Sequence, residues 1–322
     1  ADPAWSEADG EDWTPEEQRN IFVYEQCNRS VVNIMTRTIR PDFPFFAEVA
    51  EGSGSGSILD TQGHILTNFH VIENARQVRV TLYTGDTFDA EAVGLDPLND
   101  MAVLRINAPP EHLHPVRFGD TGRLRVGQRI YAIGNPFGLE RTLTTGIISS
   151  LNRTLPAGRD RRMQSIIQID AALNRGNSGG PLLNSRARLI GMNTAIASST
   201  GENTGVGFAI PVSTIARVVP QLIKNGRVIR PETGIFVVQT DRGLLVARLM
   251  PKGPGERAGL RPFQIVREQM HRGLYLYERT RVDQSSADRI VAVDGNPTRT
   301  RDEFLTAVEK KSPGDTVTLT IE

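Results

Sequence analysis

The sequence predicts a mainly β chain, with two β-barrels in succession followed by a smaller α+β module. Three observations carry that expectation. Short apolar or β-branched runs recur between residues 30 and 210, each bounded by turn residues. They fall into two consecutive sets of about six, a number that suits small barrels. No long helical pattern lies between the sets; the first broad apolar helical face comes after the second, at 213–225.

In chain order, residues 1–29 read as an acidic entry segment and then a helix. Thr14-Pro15-Glu16-Glu17 has a capping residue, proline at the first helical position and acids in the first turn. The first twenty residues hold seven acids and one arginine, the reverse of a targeting segment, so such a segment was either removed or never present. The first strand set covers 31–34, 56–59, 65–67, 78–82, 90–95 and 101–106. Gly52-Ser53-Gly54-Ser55-Gly56-Ser57 has linker composition, yet it runs straight into a strand. It is therefore read as a strand entrance whose backbone packs closely on something else. The second set covers 129–133, 143–150, 166–169, 189–193 and 206–210. In the helix that follows, Ile215, Val218, Val219, Leu222 and Ile223 share one face, Pro220 removes a hydrogen bond, and Gly226 ends it. A boundary falls at 227–232. In the last module the clearest helix opens on the capping box Thr300-Arg301-Asp302-Glu303 and turns Phe304, Leu305 and Val308 inward.

Composition narrows the function classes. The chain has 322 residues, with 37 lysines plus arginines against 37 acids, so it lacks the basic excess of a nucleic-acid binder. No apolar run approaches the length of a membrane span. Cys27 is the only cysteine, which excludes an intrachain disulfide and suits a buried structural thiol. Glu111, His112 and His114 are too few to argue for a metal, since no third histidine or cysteine is near, and no cofactor is expected. The arginine-bearing segment 153–162 reads as a solvated loop.

The chemistry lies in three places. Asn174-Arg175-Gly176-Asn177-Ser178-Gly179-Gly180-Pro181 sets a serine on a glycine-rich turn, with its hydroxyl exposed and two backbone amides able to converge on one oxyanion. Thr67-Asn68-Phe69-His70 places a histidine just after a strand, and Asn99-Asp100-Met101 an aspartate just before one. Alone, each is ordinary: a turn, a satisfied histidine, a turn-forming acid. Together, in the order His70, Asp100, Ser178, they supply a base, its orienter and a nucleophile. The first two would lie in one barrel and the third in the other.

With these motifs the sequence resembles the HtrA/Deg family of trypsin-like serine proteases carrying a PDZ domain. The likeness extends from about residue 30 to Glu322. It includes Gly52–Ser57, Thr67–His70, Asp96–Leu104, Ala132-Ile133-Gly134-Asn135-Pro136-Phe137-Gly138, Gln168-Ile169-Asp170-Ala171-Ala172, Asn174–Pro181 and Gly205-Val206-Gly207-Phe208-Ala209-Ile210-Pro211. The resemblance implies a chymotrypsin-like double barrel at 30–228 and a PDZ domain at 229–322, after an N-terminal segment at 1–29. It implies Ser178 as nucleophile, His70 as general acid and base, Asp100 as the residue that fixes its tautomer, and the amides of Gly176 and Ser178 as oxyanion hole. The implied activity is ATP-independent endoproteolysis of unfolded or damaged proteins; a peptide-binding chaperone or scaffold with a silent protease domain is the alternative. Ala172 stands about where trypsin keeps its basic-selective acid. With Leu173 and Ile196 it implies a small apolar pocket that accepts Val, Ala, Leu, Ile or Thr.

The last module resembles a PDZ domain through Gly243-Leu244-Leu245-Val246, Gly253-Pro254-Gly255-Glu256-Arg257-Ala258-Gly259-Leu260 and Ala287–Gly295. Its carboxylate loop would be Thr233-Gly234-Ile235-Phe236, with Gly234, Ile235 and Phe236 meeting a peptide C-terminus. Thr233 departs from the larger apolar residue common there, and residues 262–286 form a long insertion. A further strand is expected after Glu322, so the domain reads as incomplete. Phe43, Phe45 and Phe46 follow the first strand in a loop where large apolar side chains are poorly suited to solvent; they either fold back into their own barrel or, as the family resemblance implies, knit a homotrimer or a multiple of one. The family resemblance points to an exported protein, periplasmic first, chloroplast lumen or another organelle second.

Overall fold

The computed structural model describes residues 13–42, 46–120, 122–136, 138, 140–156, 162–174, 176–194, 205–241, 243–272 and 275–322. The chain divides into two compact units, Ala1–Val228 and Ile229–Glu322.

The first unit opens with α1 (Pro15–Cys27). Thr14 Oγ1 accepts from the Glu17 amide while the Glu17 carboxylate accepts from the Thr14 amide, closing the expected capping box. The first sheet has seven antiparallel strands: β1 (Val31–Asp42), β2 (Phe46–Ile58), β3 (His64–Thr67), β4 (Gln77–Thr81), β5 (Thr87–Asp89), β6 (Glu91–Asp96) and β7 (Met101–Arg105), in the order β5-β4-β1-β2-β3-β7-β6. The short helix α2 (Phe69–Ile72) follows β3. Val32, Ile34, Ile58, Ile65, Val80 and Leu104 fill this barrel's core.

The second barrel is closed. It comprises β8 (Arg129–Gly134), β9 (Thr142–Pro156), β10 (Arg162–Ile169), β11 (Pro181–Asn184), β12 (Leu189–Thr194) and β13 (Gly207–Pro211), in the order β10-β13-β12-β11-β8-β9. Ile130, Ala132, Ile148, Ile167 and Leu182 lie in one cluster. The alternate residues Tyr131 and Ile133 pack beneath α1 with Val23 and Cys27. β8 is thus buried on both faces, which is why it reads as an unbroken apolar run. α3 (Val212–Asn225) runs on through Pro220 to a left-handed Gly226 at φ 71°. Its Ile215, Val218 and Leu222 join Leu66, Met101, Val103, Met192 and Phe208 in a cluster that ties the barrels together. Each fully buried side chain of this kind contributes about 1.5–3 kcal/mol.

The two-barrel expectation holds, with corrections of detail. β5 and β11 were not anticipated: three-residue Thr87–Asp89 is too short to show a period, and Pro181 masks the start of its strand. β1 and β2 pair along their length, from Val31↔Ser57 to Asp42↔Phe46, so Phe46 begins a strand rather than sitting in a loop. Phe43 and Phe45 lie outside the described residues. β9 and β10 likewise extend to Pro156 and from Arg162, which leaves only residues 157–161 of the expected loop, and these are outside the description.

The second unit contains β14 (Ile235–Thr240), β15 (Gly243–Leu249), α4 (Pro254–Arg257), β16 (Gln264–Arg272), β17 (Tyr275–Asp283), β18 (Arg289–Val293), β19 (Asn296–Pro297), α5 (Arg301–Glu309) and β20 (Leu319–Ile321). One sheet runs β14-β15-β18-β19, with β20 also on β18. Val237, Leu244, Val246, Ile290, Phe304 and Val308 form its core beneath α5. The insertion is a separate two-stranded ribbon, β16 with β17. Among the described residues no helix is long and apolar enough to cross a membrane.

Candidate active site

His70 lies in the first turn of α2, and Asp100 in the turn that enters β7. β3 and β7 are neighbours, with Thr67 opposite Ala102, so the two residues emerge side by side from one sheet edge. Asp100 takes a left-handed φ of 50°, a conformation aspartate tolerates better than most residues. The turn is braced by Asp96, which accepts from the Leu98 amide at 3.3 Å and the Asn99 side chain at 2.6 Å. The Asn68 side chain donates to the Asp100 carbonyl at 3.0 Å.

The carboxylate of Asp100 grips His70 twice. Oδ1 accepts from the His70 backbone amide at 3.0 Å, and Oδ2 lies 2.8 Å from Nδ1. Because a carboxylate only accepts, this geometry places the proton on Nδ1 and leaves Nε2 with a free lone pair. Asp100 is 6% exposed, so its charge is held largely out of water. Thr194, at the end of β12, donates to Oδ2 at 3.0 Å and satisfies it from the other barrel.

Ser178 is on the loop between β10 and β11. The Gly176 and Ser178 amides donate to no group among the described residues. Two unpaired amides two residues apart are what an oxyanion needs. Gly176 has φ +93° and Gly179 φ +84°, a region closed to most side chains; at Gly179 an added Cβ would run into the Ser55 carbonyl. The first barrel holds this loop through Ser55. Its amide donates to the Ser178 carbonyl at 2.8 Å, and its hydroxyl donates to the Gly176 carbonyl at 2.5 Å while accepting from the Asn135 amide at 2.8 Å. Thr67 Oγ1 donates to the Ser55 carbonyl at 2.8 Å.

The Gly-Ser repeat is therefore no linker. Ser53 and Ser55 reach the second barrel, while Gly54 and Gly56 lie against Val71 and Ile65. The structure joins His70 to Asp100 directly, but no hydrogen bond within 3.5 Å links His70 to Ser178. Such contacts commonly tighten only around bound substrate.

Comparison with known proteins identifies the two domains. Residues 54–192 match the trypsin-like peptidase domain, and residues 231–322 match the PDZ domain. Protease Do-like 1, chloroplastic, of Arabidopsis thaliana is 42% identical over 316 residues, covering 95% of this chain and 69% of that protein. The chain belongs to the HtrA/Deg family of serine endoproteases. Periplasmic serine endoprotease DegP of Salmonella typhimurium is 40% identical over 226 residues, 66% of this chain and 47% of its own length. The solved HtrA-type protease AlgW with decapeptide superposes with a TM-score of 0.73 at 30% identity, over 94% of each chain.

As a member of this family, the chain is a serine endopeptidase with a trypsin-like domain and one PDZ domain. Of the specificity residues, Ala172 is half-buried, and Leu173 packs against the core of the second barrel beside Gly207. Ile196 lies outside the described residues. In the PDZ unit the amide of Gly234 is unpaired among the described residues, and its carbonyl accepts from Met250 at 2.8 Å. A cavity of about 580 Å³ opens beside it, walled by Thr233, Ile235, Pro254, Val308, Lys311 and Val317. Phe236 is a correction. Strand alternation turns it to the opposite face from Ile235, where it is 40% exposed and carries the Arg248 guanidinium 4.2 Å from its ring.

Sequence reading did not single out Ser55, Asn68 or Thr194 as individual contributors. Only the paired strands reveal that hydroxyls from opposite barrels reach the same site. His112 faces Asp86 at 3.6 Å and His114 packs edge-on to Tyr83; no metal-binding cluster occurs among the described residues. Cys27 is 3% exposed, and burial pushes its thiol up to about 11, which makes it a poor nucleophile at neutral pH.

Proposed function

We propose that Ser178, His70 and Asp100 are the catalytic triad and that this endopeptidase degrades unfolded or damaged polypeptides without ATP. His70 Nε2 takes the Ser178 proton as Oγ attacks the peptide carbonyl. The oxyanion accepts from the Gly176 and Ser178 amides. Asp100 holds the Nδ1–H tautomer and stabilises the imidazolium, which then protonates the leaving amine. Water, deprotonated by the same imidazole, hydrolyses the acyl-enzyme. The observation that carries this reading is the double grip of Asp100 on His70, which fixes both tautomer and ring direction.

Ala172 and Leu173 favour small or medium aliphatic side chains, because neither can pair a lysine or arginine. The unpaired Gly234 amide beside an apolar cavity suits a peptide C-terminal carboxylate, with the chain added along β14. The family also supports a homotrimer, which sedimentation velocity at micromolar concentration would test: a monomer sinks it. Relatives named periplasmic and chloroplastic support an exported or organellar protein, with the periplasm the first choice.

Degradation of unfolded casein by wild type and Ser178→Ala tests the assignment. The variant should lose about a millionfold in turnover while keeping its fold. Undiminished cleavage would refute the triad. A fluorophosphonate that fails to label Ser178 even with unfolded substrate present would favour a peptide-binding chaperone with a silent protease domain.

A further inference from the structure

We propose that the cavity between α1 and the second barrel is a binding site for a small phosphorylated anion, sharing no residue with the proteolytic site. Its volume is about 550 Å³, in the range of small-ligand pockets. Three segments wall it: the C-terminal part of α1 with Cys27 and Ser30, the stretch His114-Pro115-Val116-Arg117, and the turn Arg186-Ala187-Arg188 between β11 and β12.

The charge around it is one-sided. Arg117, Arg186 and Arg188 line it, no aspartate or glutamate does, and none of the three has an ion pair among the described residues. In a chain with equal numbers of basic and acidic residues, that is a local bias. A concave low-dielectric wall concentrates the field of such groups and draws counter-ions to it. The cavity supplies no anion of its own, since burial keeps Cys27 as a neutral thiol.

Two polar groups add to the arginines. Ser30 lines the cavity, and its hydroxyl makes no hydrogen bond to another described residue. His114 also lines the cavity, and Tyr83 fixes its ring edge-on at 5.1 Å. The arginine turn is held in place: Asn184 Oδ1 accepts from the Arg186 and Arg188 amides at 2.9 and 3.1 Å, and Ala187 between them is buried beside Cys27.

The ligand class follows from charge and shape. Three guanidinium groups call for an anion carrying more than one charge and several acceptor oxygens, each able to take a forked pair of N–H donors. A phosphate ester or pyrophosphate meets that demand; a single carboxylate leaves two arginines unmatched.

The test uses the full chain carrying Ser178→Ala, which prevents self-cleavage, and inorganic pyrophosphate as probe in isothermal titration calorimetry. Pyrophosphate should bind with a Kd below about 1 mM. Arg186→Gln with Arg188→Gln should weaken it about tenfold or more, Arg117→Gln should act in the same direction, and Arg267→Gln on the β16–β17 ribbon should change nothing. Circular dichroism verifies that each variant is folded, and Arg117→Gln, on an exposed loop, serves if the turn variants are not. No binding at about 5 mM, or binding undiminished by the arginine changes, overturns the proposal. Citrate binding as tight as pyrophosphate overturns the assignment to phosphate.

Discussion

Ser55→Ala tests how the first barrel holds the Ser178 loop of the second. The hydroxyl is fully buried and makes two bonds, donating to the Gly176 carbonyl and accepting from the Asn135 amide. Alanine removes both and leaves two backbone groups buried without partners, at about 1–3 kcal/mol each. The expected loss is therefore roughly 2–6 kcal/mol, and the space of one oxygen is too small for a compensating water. For a unit of this size each kcal/mol lowers Tm by about 2–4 °C, so a central loss of about 4 kcal/mol corresponds to roughly 8–16 °C. The kinetic effect has a different origin. Gly176 also carries an amide of the proposed oxyanion hole, and misplacement of such a donor by about 1 Å can cost around a hundredfold in rate. Calorimetric melting combined with casein or peptide hydrolysis should show lower Tm and kcat with KM nearly unchanged. Ser55→Cys, a similar-sized but weaker hydrogen bonder, should fall between. A variant with reduced Tm but unchanged kcat would refute the loop-positioning argument, and no change in either would refute the energetics as well.

Peptide-library profiling should show cleavage after Val, Ala, Leu, Ile or Thr, and a profile dominated by Lys or Arg would overturn the pocket built on Ala172 and Leu173. A peptide with a hydrophobic C-terminus should stimulate cleavage of an unrelated substrate, amidation of that terminus should remove the effect, and so should deletion of residues 229–322. Equal stimulation of both chains would show that the PDZ unit only tethers. Glu303 sits at the start of α5, where the Arg299 amide and then the Thr300 amide hold its carboxyl below the ordinary range. Because the folded pKa is depressed, its stabilisation is full above the unfolded value of about 4.3 and is lost as pH falls through the folded one. Glu303→Ala should thus destabilise the second unit near neutral pH, with the gap to wild type closing in acid; a gap that widens on acidification contradicts the cap.

Much of this protein is legible from the chain alone, because the signals are local. Thr14-Pro15-Glu16-Glu17 and Thr300–Glu303 specify their caps within one turn of backbone. Gly226 ends α3 because glycine takes the left-handed φ found there without a Cβ penalty. The Ser178 loop is legible too, since the glycines that its left-handed backbone needs, Gly176 and Gly179, lie within two residues of the serine. Tertiary structure decided what depends on register and distance. Whether Gly52–Ser57 was a linker or a strand depended on Ser55 meeting a loop about 120 residues away. Thr194 reaches Asp100 across 94 residues, a contact no local pattern encodes. Phe236 looked like a neighbour of Ile235 in sequence, yet a strand sends adjacent side chains to opposite faces, and only pairing with β15 fixed which face the core would claim.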